Sequence, residues 1–304
     1  MNLIACRDLN VIYANGAHAN RGISFTVTDG ERIAIIGESG CGKSTLLRAL
    51  LGLLPAATKV TGTIEVNGTG NLRDLSRKGW QAIRGTQLGY VPQNPLSAFD
   101  PLRSVGAQMK LAWTCHGERI SSADLVSVLG QAGIDNAEHY LALRPRAWSG
   151  GMLQRALVVC ATALRPIVVL ADEPTSAIDA PLARQMLSMI AARSSTFVTV
   201  THDINLVDGL VDRVLVMYSG RIIEDAPIAR LLNTPRHPYT KVLLAALPRR
   251  GVLPQELPGE PPSLLSHDAS CAFAPRCRRV HPACRVRPAI VDGVACHLNT
   301  ATSS

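Results

Sequence analysis

Residues 37–45 read Gly37-Glu38-Ser39-Gly40-Cys41-Gly42-Lys43-Ser44-Thr45, a G-x-x-x-x-G-K-[ST] phosphate-cradling loop. Its flanks decide the fold. Arg32-Ile33-Ala34-Ile35-Ile36 is a short, apolar, β-branched run, and the residues from Ser44 onward (S-T-L-L-R-A-L-L-G-L-L) have helical spacing. Strand, glycine-rich loop and helix together predict an α/β P-loop NTPase. Glycines at 37, 40 and 42 let backbone N–H groups turn inward on phosphate oxygens at the positive end of the helix. Lys43 would reach the β- and γ-phosphates and the Ser44 hydroxyl would ligate Mg²⁺. A chance glycine turn before a core helix is the ordinary alternative, and the strand and helix on either side count against it.

Working outward, the first third of the chain reads as short strands joined by turns. Residues 9–13 and 23–27 alternate, Asp29-Gly30 turns into the P-loop strand, and residues 63–66 run into the Asn67-Gly68 turn. Another strand ends near Val91-Pro92-Gln93. Between about 95 and 164 the pattern turns helical, with periodic stretches at 105–116, 123–132 and 152–164. Residues 167–171 form a continuous apolar run ending in Asp172-Glu173, the pattern of a buried parallel strand. Residues 196–201 and 214–217 are two more strands, with a helix at 182–192. This order implies a parallel sheet covered on both faces. After residue 246 the composition shifts to Pro, Gly and Arg, marking a linker. The chain is therefore expected to divide into a nucleotide-binding domain at 1–247, with a helical subdomain at about 95–164, and a linker plus Cys-rich extension at 248–304.

Length and composition bound the rest. At 304 residues and 47% hydrophobic, the chain can bury one large α/β core with an appendage. No apolar run approaches the ~18 residues of a spanning helix, and the start is too short and too quickly charged for a signal peptide. A soluble, cytosolic chain is expected, one that acts at a membrane by docking. The net charge of +8 permits an anionic partner, yet there is no Lys/Arg block and aromatics are only 4%, which argues against nucleic acid. Cys6, Cys41, Cys115 and Cys160 are scattered, as reduced thiols would be. Cys271, Cys277, Cys284 and Cys296 crowd together near the end.

Two further features belong with the P-loop. A carboxylate at Asp172, closing an apolar strand, can hold Mg²⁺. Glu173, one residue on, can polarise the attacking water. Without a P-loop this pair would be read as solvated acids capping a strand. Ser149-Gly150-Gly151 opens the helix from Met152. It is either a plain N-cap or a second anion site at a helix N-terminus, which would serve a neighbour's nucleotide.

In these residues the chain resembles the ATP-binding subunits of ABC transporters, from Tyr13 to about residue 247. Tyr13 resembles the A-loop aromatic that stacks on adenine, residues 37–45 the Walker A segment and Gln93 the Q-loop glutamine. Trp148-Ser149-Gly150-Gly151-Met152 stands at the signature position and Asp172-Glu173 at Walker B. Ser176-Ala177-Ile178-Asp179 resembles the D-loop and His202 the switch histidine. The resemblance implies an ABC-type nucleotide-binding domain with an antiparallel β subdomain, a helical subdomain and a small Cys-rich C-terminal extension. It implies a head-to-tail dimer with ATP sandwiched between one subunit's P-loop and the other's Ser149-type signature. Glu173 would be the general base, with His202 on the γ-phosphate and Gln93 sensing Mg²⁺. The signature departs from the commonest form, L-S-G-G-Q, at Trp148 and Met152, from which reduced or partner-dependent turnover is expected.

Longer phrases are similar to the oligopeptide/dipeptide/nickel importer subfamily: Gln93-Asn94-Pro95-Leu96-Ser97-Ala98-Phe99-Asp100-Pro101, S-G-G-M-L-Q-R from Ser149, H-P-Y-T-K-V-L-L-A-A-L-P from His237 and P-G-E-P-P-S-L-L from Pro258. That resemblance implies a second, different ATPase subunit, two membrane permease subunits and an extracytoplasmic solute-binding protein. It places the chain peripherally, on the cytoplasmic face of the inner membrane. The cysteine run also resembles that subfamily's tail, in which such cysteines bind an iron–sulfur cluster. Four thiolates can ligate [4Fe–4S] or zinc, and no close C-x₂₋₄-C pair is present to favour zinc; unliganded reduced cysteines are the third reading. A soluble ABC ATPase acting on nucleic acid or ribosomes is the alternative class. Those relatives usually carry two cassettes or a long coiled-coil insertion, and this chain has neither. An inactive cassette would need Lys43, Asp172 or Glu173 replaced.

Overall fold

The computed structural model describes residues 1–175, 180–247, 259–265 and 269–302. The strands among them are β1 (Asn2–Ile12), β2 (His18–Thr28), β3 (Arg32–Ile36), β4 (Lys59–Val66), β5 (Leu88–Val91), β6 (Val168–Asp172), β7 (Phe197–Val200), β8 (Arg213–Tyr218) and β9 (Arg221–Pro227). Chain contacts divide the molecule into two compact units.

The first unit comprises Asn2–Val27, Ile33–Arg73 and His202–Ser304. It holds a three-stranded sheet ordered β2-β1-β4, with β1 and β4 antiparallel from Ile4↔Val66 to Ile12↔Lys59. Alternation in β2 sends Ile23, Phe25 and Val27 inward. β1 begins seven residues before the strand expected at Leu9. The cause is a register shift between Arg7 and Asn10, where Asp8 sits at φ 48° and breaks the alternation that sequence reading relies on.

In the same unit β3 runs parallel to β8, and β8 pairs antiparallel with β9. Ile33, Ala34 and Ile35 are fully buried, as the unbroken apolar run predicts. β9 was not predicted, because Glu224 and Asp225 interrupt its apolar pattern. Glu224 is nevertheless fully buried, accepting hydrogen bonds from the Arg236 and His237 backbone N–H groups at 2.9 Å each. The available signal was Ser219-Gly220, both at positive φ, the two-residue hairpin turn that joins β8 to β9.

The second unit comprises Met1, Thr28–Arg32 and Asp74–Thr201. Its strands β5, β6 and β7 pair in parallel, and every residue of β6 and β7 is buried. Six helices, Pro95–Ala98, Val105–Met109, Leu111–Thr114, Ser122–Gln131, Ala137–Ala142 and Gly150–Ala161, enclose a core that includes Met109, Leu125, Leu129, Trp148 and Leu153. The periodic stretch at 105–116 is thus two short helices rather than one. Among the described residues no helix is long and apolar enough to cross a membrane.

Candidate functional site

β3 delivers the chain into the P-loop, and two glycines there cannot be replaced without a clash. Gly37 has φ 151°, and a Cβ on it would lie 2.2 Å from the Met217 carbonyl oxygen. Gly42 has φ 102°, and its Cβ would lie 2.1 Å from the Ala19 carbonyl oxygen. The loop is packed this tightly against its own unit so that its backbone can turn. Gly42 then caps the helix Lys43–Leu50 with no side-chain hydrogen bond, and the positive end of that helix faces the loop.

Lys43 is buried, and its Nζ donates to the Gly37 carbonyl at 2.8 Å and the Glu38 carbonyl at 3.0 Å. The Cys41 thiol lies 3.9 Å from the same ammonium, and burial pushes that thiol's pKa up. Ser39 and Gly40 are exposed at the crest of the loop, with Ser44 and Thr45 half-buried behind it. Tyr13, predicted to meet adenine, shares a 2.9 Å hydrogen bond between its hydroxyl and Thr45 Oγ1. The structure therefore brings Tyr13 to the P-loop helix. His202 is exposed, beside Asp203, whose carboxylate caps the turn by accepting from Asn205 N at 2.9 Å.

In the other unit, Asp172 ends β6 and is buried. Glu173 follows at φ 43°, a left-handed conformation uncommon for a residue with a long side chain. Its N–H bonds the Val200 carbonyl at 3.0 Å, so the strand ladder holds the backbone while the side chain leaves it. Glu173 Oε2 accepts a 2.9 Å hydrogen bond from Gln93 Nε2. The glutamine and the acid, 80 positions apart in the sequence, thus meet in the fold.

Ser149 Oγ accepts from Met152 N at 3.2 Å, capping the helix Gly150–Ala161. Ser149 and Gly150 are exposed. Trp148 is not part of that exposed surface. It is buried, donates Nε1–H to the Tyr140 carbonyl at 3.0 Å and stacks edge-on against Tyr140. The signature's departure at Trp148 is therefore absorbed by the helical core. Ser176, Ala177, Ile178 and Asp179, the D-loop reading, lie outside the described residues.

The Cys-rich segment packs within the P-loop unit, with Cys271 N donating to the Cys284 carbonyl at 3.0 Å and Ala295 N to the Ile223 carbonyl at 2.9 Å. Burial pushes the Cys271 and Cys296 thiols up, backbone N–H bonds from Phe273 and Leu298 lower them, and the other thiols of the set raise them further. Cys277 Sγ accepts from Arg279 N at 3.4 Å. The backbone N–H groups favour the thiolate form, while burial and the neighbouring thiols oppose it. Among the described residues, however, no three His, Cys, Asp or Glu side chains stand close enough together to hold a metal ion. The sequence reading did not single out Arg276, Tyr218 or Phe273, and took Tyr239 only as part of a family phrase; it is the fold that stacks Phe273, Tyr218 and Tyr239 in one cluster.

A P-loop after one parallel strand, an acid pair closing another apolar strand and a glycine-opened helix define a nucleoside-triphosphate-hydrolysing cassette. The chain belongs to the ABC transporter family, whose description matches residues 20–176. Residues 223–284 match "Oligopeptide/dipeptide transporter, C-terminal region". A dipeptide transport ATP-binding protein of Lactococcus lactis subsp. cremoris is 36% identical over 87% of this chain and 79% of its own length. A probable peptide ABC transporter ATP-binding protein of Sinorhizobium fredii is 36% identical over 96% of this chain and 92% of its own. Among solved structures, CbiO1 of Clostridium perfringens superposes with TM-score 0.63 at 26% identity, over 77% of this chain and 91% of that one. The ATP-binding cassette MJ0796, solved with ADP and phosphate, has the same fold, with TM-score 0.65 at 24% identity over 74% of this chain and 98% of that one.

Proposed function

We propose that this chain is the ATP-hydrolysing subunit that energises import of a solute, of the peptide class, through a membrane-embedded permease. The observation that carries the reading is the Gln93–Glu173 hydrogen bond next to buried Asp172, in a chain whose ends match the ABC and oligopeptide/dipeptide families. Glu173 is the general base toward water, and Gln93 orients it. Lys43 and the loop N–H groups of residues 37–45 hold the triphosphate, Tyr13 meets the adenine and His202 meets the γ-phosphate. Ser44, Asp172 and Gln93 are the groups directed at Mg²⁺. That ion, when bound with ATP, neutralises charge on the β- and γ-oxygens. Exposed Ser149 and Gly150, with half-buried Gly151, serve the nucleotide of a second ATPase subunit. Two permease subunits and an extracytoplasmic binding protein complete the importer, with this chain peripheral on the cytoplasmic side.

Cys271, Cys277, Cys284 and Cys296 are proposed to hold a [4Fe–4S] cluster, with zinc as the other four-thiolate occupant. The crowding of the four cysteines into residues 271–296 and the Arg279 N–H bond to Cys277 Sγ support this. Anaerobic preparations assayed for iron, sulfide, zinc and visible absorbance decide it; protein free of all of them sinks the proposal.

The transport reading is tested by uptake of a labelled dipeptide and of radiolabelled nickel in the native cells, intact protein against Glu173→Gln. Loss of dipeptide uptake alone is expected. Loss of nickel uptake alone would reassign the cargo, and loss of neither would remove the peptide-import reading.

A further inference from the structure

Glu38 is the second residue of the phosphate loop, and its carboxylate is held from the far end of the chain. Arg276 donates Nη1 to Glu38 Oε2 at 2.7 Å and Nη2 to Oε1 at 2.9 Å, a two-pronged contact across 238 positions. Nη1 also reaches the Tyr218 hydroxyl at 3.2 Å. The guanidinium is 4% exposed and the carboxylate 16%, and the pair lies beside the stacked Tyr218, Tyr239 and Phe273 rings. The remaining polar groups of Glu38 are also engaged. Its N–H donates to the Tyr239 hydroxyl at 3.0 Å, and its carbonyl accepts from Lys43 Nζ at 3.0 Å. One residue thus links the C-terminal segment to the lysine that meets phosphate. The Glu38 carboxylate is the chief reason the Arg276 pKa is raised above the ordinary arginine value.

The electrostatics follow directly. A loop that must accept a polyanion carries a carboxylate of its own. Arg276 cancels that charge where water cannot screen it well, and the planar fork fixes the carboxylate's direction in a way an ammonium would not. We propose that Arg276 is a positioning residue of the ATP site: by neutralising and aiming Glu38, it makes nucleotide affinity depend on the cysteine-rich extension. Arg276 directly precedes Cys277 and sits in the short helix Ala274–Arg276, so whatever orders the thiols orders the guanidinium.

The test is equilibrium binding of ATP, ADP and adenosine to the full chain, with thermal melts alongside. Arg276→Met is expected to weaken ATP about tenfold, ADP less and adenosine hardly at all, because the uncovered charge acts on phosphates. Arg276→Lys should recover part of the loss. Glu38→Gln combined with Arg276→Met should bind ATP within about threefold of Glu38→Gln alone, since no carboxylate is left to neutralise. That second comparison stands even if Arg276→Met by itself does not fold. Unchanged ATP affinity in a folded Arg276→Met, equal losses for all three ligands, or a full loss from removing Arg276 in the Glu38→Gln background would each overturn the proposal.

Discussion

Gln93 Nε2 donates to Glu173 Oε2 at 2.9 Å, joining the segment after β5 to the acid at the end of β6. A hydrogen bond to a carboxylate fixes its direction without removing its charge. Gln93→Ala leaves Glu173 able to rotate, so turnover by the assembled transporter should fall about tenfold, within the range of general-base effects. ATP affinity should change far less. Steady-state hydrolysis with a separate nucleotide-binding measurement separates the two; unaltered turnover would show that the glutamine does not orient the acid.

The P-loop glycines make a steric prediction. A methyl on Gly42 would sit 2.1 Å from the Ala19 carbonyl oxygen, at φ 102°. Gly42→Ala should therefore abolish measurable ATP binding. Gly40→Ala, with open space around its Cβ but φ 78°, should weaken it by only about fivefold to thirtyfold, the ~1–2 kcal/mol cost of a left-handed residue. Equal behaviour of the two variants would contradict the packing described for the loop.

Trp148 supplies a test of the helical unit. Its ring is 5% exposed and hydrogen-bonded to Tyr140, so Trp148→Ala should cost about 3–5 kcal/mol of stability. Trp148→Leu, which restores the commonest signature residue, should cost less, and it should leave ATP turnover at saturation within about twofold because the exposed Ser149 face is unaltered. Urea denaturation and hydrolysis rates check both. A large turnover change in Trp148→Leu would return the indole to the functional surface.

His237 sets a pH dependence. Burial lowers its pKa from 6.5 to about 4, with a backbone hydrogen bond to Ala295 opposing the shift, and Nδ1 accepts from Tyr239 N at 3.0 Å. Between those pH values the unfolded chain binds a proton that the folded chain refuses. This contribution is complete above pH 6.5 and is lost as pH falls toward 4, by at most ~1.4 kcal/mol per pH unit. Urea midpoints at pH 7 and 5.5 should drop more for the wild-type chain than for His237→Asn, which retains a helix cap. Equal drops would refute the assignment.

Legibility in the sequence followed the range of the interactions. The P-loop, the Asp172-Glu173 pair and the Ser149 cap announce themselves within a few residues, because strand, turn and cap chemistry are local. β9 did not, because the buried Glu224 is neutralised by N–H groups 12 and 13 positions away. Nor did the first half of β1, where positive φ at Asp8 breaks alternation. Tyr13 was read as an adenine platform, and only the fold shows its hydroxyl on Thr45. Arg276 was invisible for the same reason: nothing near Cys277 says that its neighbour belongs to a glutamate in the phosphate loop.

The most direct test of the central claim is steady-state ATP hydrolysis by the assembled transporter carrying Glu173→Gln, with ATP binding measured on the same preparation. The account requires turnover to fall by at least about a hundredfold, as loss of a general base demands, while ATP still binds within severalfold of the unaltered protein. Hydrolysis at the unaltered rate would contradict it, and would remove Glu173 from the chemistry of the site.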